Sequence, residues 1–148
     1  LLGWYLVSMA VAQRASAGVD TALGRLTVAD IMTWDPACAY AGQQVDRFIA
    51  SARHRAYPVI DLDGRPVGTV ELARLVRIPA ALRSASRVGD VTTPLARTPV
   101  VGPDDPASAA ARVLAPVSPL AVVVAAGRIV GVVTWVDIAR AVELARLS

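Results

Sequence analysis

The chain has 148 residues, 55% hydrophobic and 5% aromatic, and a net charge of +3. A chain of this length buries roughly 70% of the surface it exposes when unfolded, so a sizeable core is expected, built from Val, Leu, Ile and Ala. All 15 basic residues are Arg, scattered rather than clustered with aromatics, which argues against nucleic-acid binding; one Cys and one His exclude an internal disulfide and a Cys/His structural zinc site.

Leu1 to Ala12 reads LLGWYLVSMAVA, without a charge. A bilayer takes about 20 apolar residues, so this run is too short to span one, and it lacks the basic leader of a signal peptide. Two readings fit. It is the end of a transmembrane helix leaving into the cytoplasm, with Trp4 and Tyr5 at the interface and Arg14 beyond; or it is an apolar helix packed on the domain. Residues 13–25 then form a helical linker. The first residue is Leu, so a chain cut from a longer protein is expected.

From there the chain repeats itself. Val28 to Thr33 reads VADIMT and Val88 to Thr93 reads VGDVTT; Asp63 to Glu71 reads DGRPVGTVE and Ala126 to Thr134 reads AGRIVGVVT. Two collinear blocks with nearly equal offsets indicate a duplicated unit of about 60 residues. In the first unit Val28 to Met32 is a helical turn and Thr33 to Tyr40 is extended, Pro36 excluding a helix interior. Gln43 to Arg55 is a helix with Val45, Phe48, Ile49 and Ala52 on its apolar face. Tyr57 to Leu62 is a strand, Asp63-Gly64 a hairpin turn and Pro66 to Val70 the return strand. Glu71 to Ile78 is a second helix with Leu72, Leu75 and Val76 inward. In the second unit Ala107 to Leu114 is a helix, Leu120 to Ala125 a strand, Ala126-Gly127 a turn and Arg128 to Val133 the return strand. Thr134 to Leu147 is the last helix, with Ile138, Val142 and Ala145 inward. Neither unit buries both faces of a two- or three-stranded sheet alone. The fold expected is α+β: two helix-strand-strand-helix repeats packed sheet to sheet about a pseudo-twofold axis, after an N-terminal helical segment. The expected divisions are 1–25, repeat 1 at 26–79, a linker at 80–87 and repeat 2 at 88–148.

VADIMT, the strand YPVID (Tyr57 to Asp61) followed by DGRPVG, and GVVTWVDI (Gly131 to Ile138) resemble the CBS family, named for cystathionine beta-synthase. The resemblance covers about Leu26 to Leu147. It implies a regulatory pair that binds an adenosine-type ligand (AMP- or ATP-like) between the repeats, controls an attached protein and dimerises. GVVTWVD looks like the family's Gly-x-x-Thr-x-x-Asp ligand motif. Thr134 and Asp137 stand where a strand gives way to a helix, whose free N–H groups suit an anion. A threonine hydroxyl can bind phosphate and an aspartate the ribose diol. Thr-x-x-Asp at a helix start is equally a capping box that needs no ligand. Arg55, in Arg-Ala-Tyr-Pro, resembles the family's phosphate contact, with His54 beside it; Arg53, His54 and Arg55 also read as a solvated helix end. In the first repeat Glu71 replaces the Thr and Arg74 the Asp. Glu71 repels phosphate, Arg74 cannot hold a diol, and the two can pair on the helix surface, so at most one of the two sites is expected to be competent. Ser118 stands in the place of Arg55 in the second repeat.

LLGWYLVSMA followed by LTVADIM resembles the junction between the last membrane helix and the CBS pair of site-2 proteases, which are intramembrane zinc metalloproteases. That resemblance implies a module on the cytoplasmic side of the cell membrane, as part of an integral membrane protein. Its catalytic zinc and HExxH motif would lie upstream of Leu1. No Ser/His/Asp, Cys/His or metal set is assembled within the chain, so no catalytic or metal-ligating residue is expected here.

Overall fold

The computed structural model describes residues 18, 21–114 and 118–147. The elements run α1 (Val28–Ile31), β1 (Thr33–Trp34), β2 (Ala39–Tyr40), α2 (Val45–Ser51), β3 (Ala56–Ile60), β4 (Pro66–Glu71) and α3 (Leu72–Leu75), then β5 (Thr93–Pro94), β6 (Val100–Val101), α4 (Ala107–Leu114), β7 (Ala121–Ala125), β8 (Arg128–Val133) and α5 (Trp135–Arg146). Short 3-10 turns cover Ala80–Leu82, Val88–Val91 and Leu95–Arg97. The expected membrane-helix end at residues 1–12 lies outside the described residues. Among the described residues no helix is long and apolar enough to cross a membrane.

The duplicated blocks do the same work twice. Asp30 accepts hydrogen bonds from the backbone N–H of Thr27 at 2.8 Å and its hydroxyl at 3.1 Å, opening α1. Asp90 accepts from the Arg87 N–H at 2.8 Å and opens the turn at Val88–Val91. Each carboxylate satisfies a donor that a helix start leaves free. The hairpin after β3 is shaped by Asp61, whose Oδ1 accepts from the N–H groups of Asp63 and Arg65, both at 2.9 Å. The hairpin after β7 places Ala126 and Gly127 at positive φ (52° and 74°), as a tight two-residue turn demands.

Two four-stranded sheets result, ordered β2-β3-β4-β5 and β6-β7-β8-β1. In each, the first pair is parallel, the other two antiparallel, and a register shift falls in the long hairpin, at Val59/Ile60 and at Val123/Val124. The repeats exchange their opening strands. β1, from the first VADIMT block, pairs with β8 (Thr33 with Val132, Trp34 with Gly131), while β5, from VGDVTT, pairs with β4. Packing follows the pairing: Val28, Ile31 and Met32 join the core of Ala107, Leu114, Val123, Val133 and Ile138. Val88 joins that of Val45, Phe48, Tyr57, Val70 and Leu75.

Between the sheets lies a third apolar layer of Leu120, Val122 and Val132, with Ala56, Val124 and Ile129 against it. Alternate residues of β7 thus face opposite cores, Ala121 and Val123 one way and Val122 and Val124 the other. Burial on both faces is why this strand reads as an unbroken apolar run. One inward assignment needs correction. Leu75 is buried and Leu72 partly so, but Val76 is exposed, because α3 ends at Leu75 and no further turn carries the next side chain back to the core. The fold is α+β, as expected from the repeats.

Candidate functional site

The start of α5 is built around one carboxylate. Asp137 Oδ2 accepts from the backbone N–H of Thr134 at 2.9 Å and its hydroxyl at 3.2 Å, and the Asp137 N–H donates back to that hydroxyl at 3.4 Å. The other oxygen, Oδ1, accepts from the hydroxyl of Thr33 on β1 at 2.9 Å and lies 3.6 Å from the Arg140 guanidinium. Asp137 is 3% exposed. Burial of a carboxylate is costly unless its oxygens are hydrogen-bonded, and here both are. The capping-box reading of Thr134 and Asp137 is therefore realised, and the same pair lines a cavity.

That cavity, of about 500 Å³, lies between the repeats. The first repeat contributes His54, Arg55 and Pro58, and the second contributes Thr134, Trp135 and Asp137. All four residues singled out in the sequence, Thr134, Asp137, Arg55 and His54, line it. They meet because the outer faces of Ala56 and Pro58 on β3 look toward Val132 on β8, where the two sheets pack together. Arg55 and His54 follow α2, whose last turn is closed by Tyr57: its hydroxyl oxygen accepts from the N–H groups of Arg53 at 2.6 Å and His54 at 3.0 Å. The side chains of Arg55 and His54 are exposed at the mouth. With the Asp137 carboxylate occupied internally, Arg55 and Arg140 give the opening a positive face suited to an anion.

The first repeat presents a different opening, of about 670 Å³, lined by Arg55, Glu71, Val76, Ser118, Pro119 and Trp135. Arg55, Pro119 and Trp135 form a wall common to both cavities. Glu71 puts a negative charge where the second repeat has the Thr134 hydroxyl. The ion pair expected between Glu71 and Arg74 does not form among the described residues; the Arg74 guanidinium instead donates to the Thr93 hydroxyl at 3.3 Å. Thr93 belongs to β5, the exchanged strand.

Among the polar and aromatic residues of the lining, Thr33, Trp135 and Arg140 were not singled out by motif. Arg140 follows Asp137 by three positions, so helical spacing alone places it on the same face. Trp135 is the residue next to Thr134 and is 43% exposed. Thr33 gave no local signal, because its contact is 104 residues away. Cys38 is half-buried in a smaller recess of about 270 Å³ shared with His54 and Tyr57. Its thiol donates to the Pro36 carbonyl at 3.5 Å, and burial pushes its pKa above the ordinary value. No three His, Cys, Asp or Glu side chains among the described residues come together as a metal-binding group.

Comparison with known proteins fits this geometry. The CBS domain family matches twice, at residues 28–81 and 88–144. The chain is 33% identical over 153 residues to "Putative zinc metalloprotease Rip3" of Mycobacterium tuberculosis, in two strains, covering 99% of this chain and 39% of that protein. It therefore spans less than half the length of these relatives. Among solved structures, the CBS domain of the bacterial CNNM/CorC family Mg2+ transporter in complex with ATP superposes with a TM-score of 0.73 at 18% identity, covering 89% of this chain and 97% of that one. CBSX2 in complex with AMP superposes with a TM-score of 0.69 at 26% identity, covering 81% and 98%. With two matched segments, two pseudo-symmetric sheets and a cleft between them, the chain belongs to the CBS domain family and is a tandem CBS pair.

Proposed function

We propose that this chain is the cytoplasmic regulatory module of an intramembrane zinc metalloprotease, and that it senses an adenosine-type ligand in the cleft of the second repeat. The observation that carries the reading is the convergence of Thr134, Asp137, Arg55 and His54, from two repeats, on one cavity of about 500 Å³. Arg55 and the Thr134 hydroxyl suit a phosphate, Asp137 suits a ribose diol, and Trp135, Leu120 and Val132 offer an apolar wall to a base. The AMP and ATP complexes of the structural neighbours support this ligand class, and the protease-named relative supports the parent. The zinc would be held by residues of the parent outside this chain.

Titration calorimetry with AMP, ATP and S-adenosylmethionine tests the ligand. Heat is expected with at least one, and Asp137→Asn should weaken it by about tenfold, the scale of one charge-assisted hydrogen bond. No heat and no thermal shift at millimolar ligand would overturn the nucleotide site. The parent is tested by its own chain, which should carry HExxH in an apolar helix and cleave its substrate at a rate that changes with ligand.

A second reading, a homodimerisation module with an empty cleft, is favoured by one observation: both oxygens of Asp137 already have partners within the protein. A ligand-free dimer in sedimentation equilibrium, with no response to any nucleotide, would select it.

A further inference from the structure

Thr33 and Thr93 occupy matching places in the exchanged strands β1 and β5, and Asp137 and Arg74 occupy matching places in the helices that follow β8 and β4. In both repeats the threonine hydroxyl bonds the helix residue, but in opposite senses. Thr33 donates to Asp137 at 2.9 Å, whereas Thr93 accepts from Arg74 at 3.3 Å. The crossover threonine is thus a recurring tether between an opening strand and the helix start of the other repeat. Where the helix residue is an aspartate, the tether uses an acceptor that a ligand hydroxyl would also seek.

Asp137 Oδ2 is committed to the Thr134 N–H and hydroxyl, and those bonds hold the start of α5. Oδ1 is the oxygen shared with β1, and both Thr33 and Asp137 line the cavity. Thr33 is exposed at the cleft, whereas Met32 and Ile31 just before it are buried. β1 itself is two residues long and pairs with β8 at just two positions. The ladder gains one further bond, the Asp35 N–H donating to the Val130 carbonyl at 3.3 Å, and with so few backbone bonds one side-chain bond is a substantial part of the strand's anchorage.

Resting on the nucleotide reading above, we propose that Thr33 is the contact through which cleft occupancy is felt at the N-terminal side of the module. A vicinal diol on the ligand takes Oδ1 of Asp137 from the Thr33 hydroxyl. β1 loses its tether to α5, and Thr33 and Trp34 loosen on β8, while Val28, Ile31 and Met32 stay anchored in the core of the second repeat. The ligand shifts the strand because it has different affinity for the tethered and released states. By linkage, whatever holds β1 down from the N-terminal side weakens the diol's binding by the same factor.

The test is calorimetry with ATP and with 2′,3′-dideoxy-ATP on the unmutated protein, Thr33→Val and Thr33→Ser, with amide exchange of Thr33 and Trp34 measured beside it. In Thr33→Val the competing donor is gone and Oδ1 lacks that partner until the diol arrives. ATP should bind about five- to tenfold tighter than to the unmutated protein, while the dideoxy analogue should be unaffected. Thr33→Ser keeps the hydroxyl and should match the unmutated protein. ATP should speed exchange at Thr33 and Trp34 in the unmutated protein and leave it unchanged, already fast, in Thr33→Val. Weaker or equal ATP affinity in Thr33→Val would overturn the displacement and make Thr33 a plain support for Asp137. Should that variant not fold, the unmutated protein alone decides: equal affinity for ATP and its dideoxy analogue, or unchanged exchange on ATP binding, overturns the proposal. Absence of binding by any variant to either nucleotide would overturn the functional reading and this inference together.

Discussion

Asp137 makes its contacts within the protein alone, without a ligand, and this separates two effects of its removal. Asp137→Ala strips the Thr134 N–H, the Thr134 hydroxyl and the Thr33 hydroxyl of their partner. It should cost about 2 kcal/mol in urea unfolding, the sum of a lost helix cap and a buried group left without its bond. Thr134→Ala should cost about 1 kcal/mol. A loss below about 0.5 kcal/mol for Asp137→Ala would show that the cap carries little of the stability of α5. Cys38 offers a second measurement. Its thiol is half-buried and its pKa is raised by burial, so at neutral pH it is held as the unreactive thiol. Alkylation by iodoacetamide at pH 7 should be slower than for a free cysteine and should accelerate as pH rises above the ordinary thiol value. Rapid alkylation at pH 7 would show the recess to be open. At this scale the sequence was legible where chemistry and spacing coincide: Thr134 and Asp137 could be found from a four-residue pattern. Thr33 could not, because nothing near it in the chain announces a partner on a helix beyond the second hairpin.

Helices and long strands were legible for the ordinary reason of periodic burial. Ala107–Leu114 and Arg128–Val133 have the bounds expected, whereas the expected helix at Glu71 to Ile78 is shorter, running only from Leu72 to Leu75. The exchange of β1 and β5 was not legible, since two-residue strands have no period to read. In retrospect the glycines hold the clue. A methyl group at Gly131 would stand 2.6 Å from the Met32 sulfur and 2.9 Å from the Thr33 carbonyl oxygen. A methyl at Gly68 would run into the backbone of Thr93. The closing glycine of each GRxVG block, Gly68 or Gly131, leaves room for the strand that arrives from the other repeat, which explains why the block ends on glycine in both copies. Gly131→Ala should therefore cost about 1–3 kcal/mol, as overpacking does, and should increase amide exchange in β1 without touching the hairpin of β3 and β4. Gly68→Ala meets backbone rather than a flexible side chain and should be worse, giving mostly insoluble protein. Equal stability of Gly131→Ala and the unmutated protein would mean that β1 is not seated on β8.

At the scale of the molecule, the exchange makes each repeat dependent on the other for a strand and for core residues. A fragment of residues 21–87 lacks β5 and Val88, so circular dichroism should show no cooperative thermal transition for it. Mixing it with a fragment of residues 88–148 should leave both sheets without covalent continuity and restore at most a weak transition. A sharp, two-state melt of 21–87 alone would contradict the packing described. The cleft residues were readable one by one, but their meeting depends on how the sheets face each other, which no local pattern records. The exchanged strands also set the order of events during synthesis. Thr33 leaves the ribosome about 100 residues before its partners on β8 and α5, so the apolar side chains of Ile31 and Met32 must wait uncovered in the meantime. A nascent chain stopped short of β8 has no partner for β1 and no second wall for the cleft. The binding surface comes into being only once α5 has been made, and a chain truncated before it cannot carry a partial version of it.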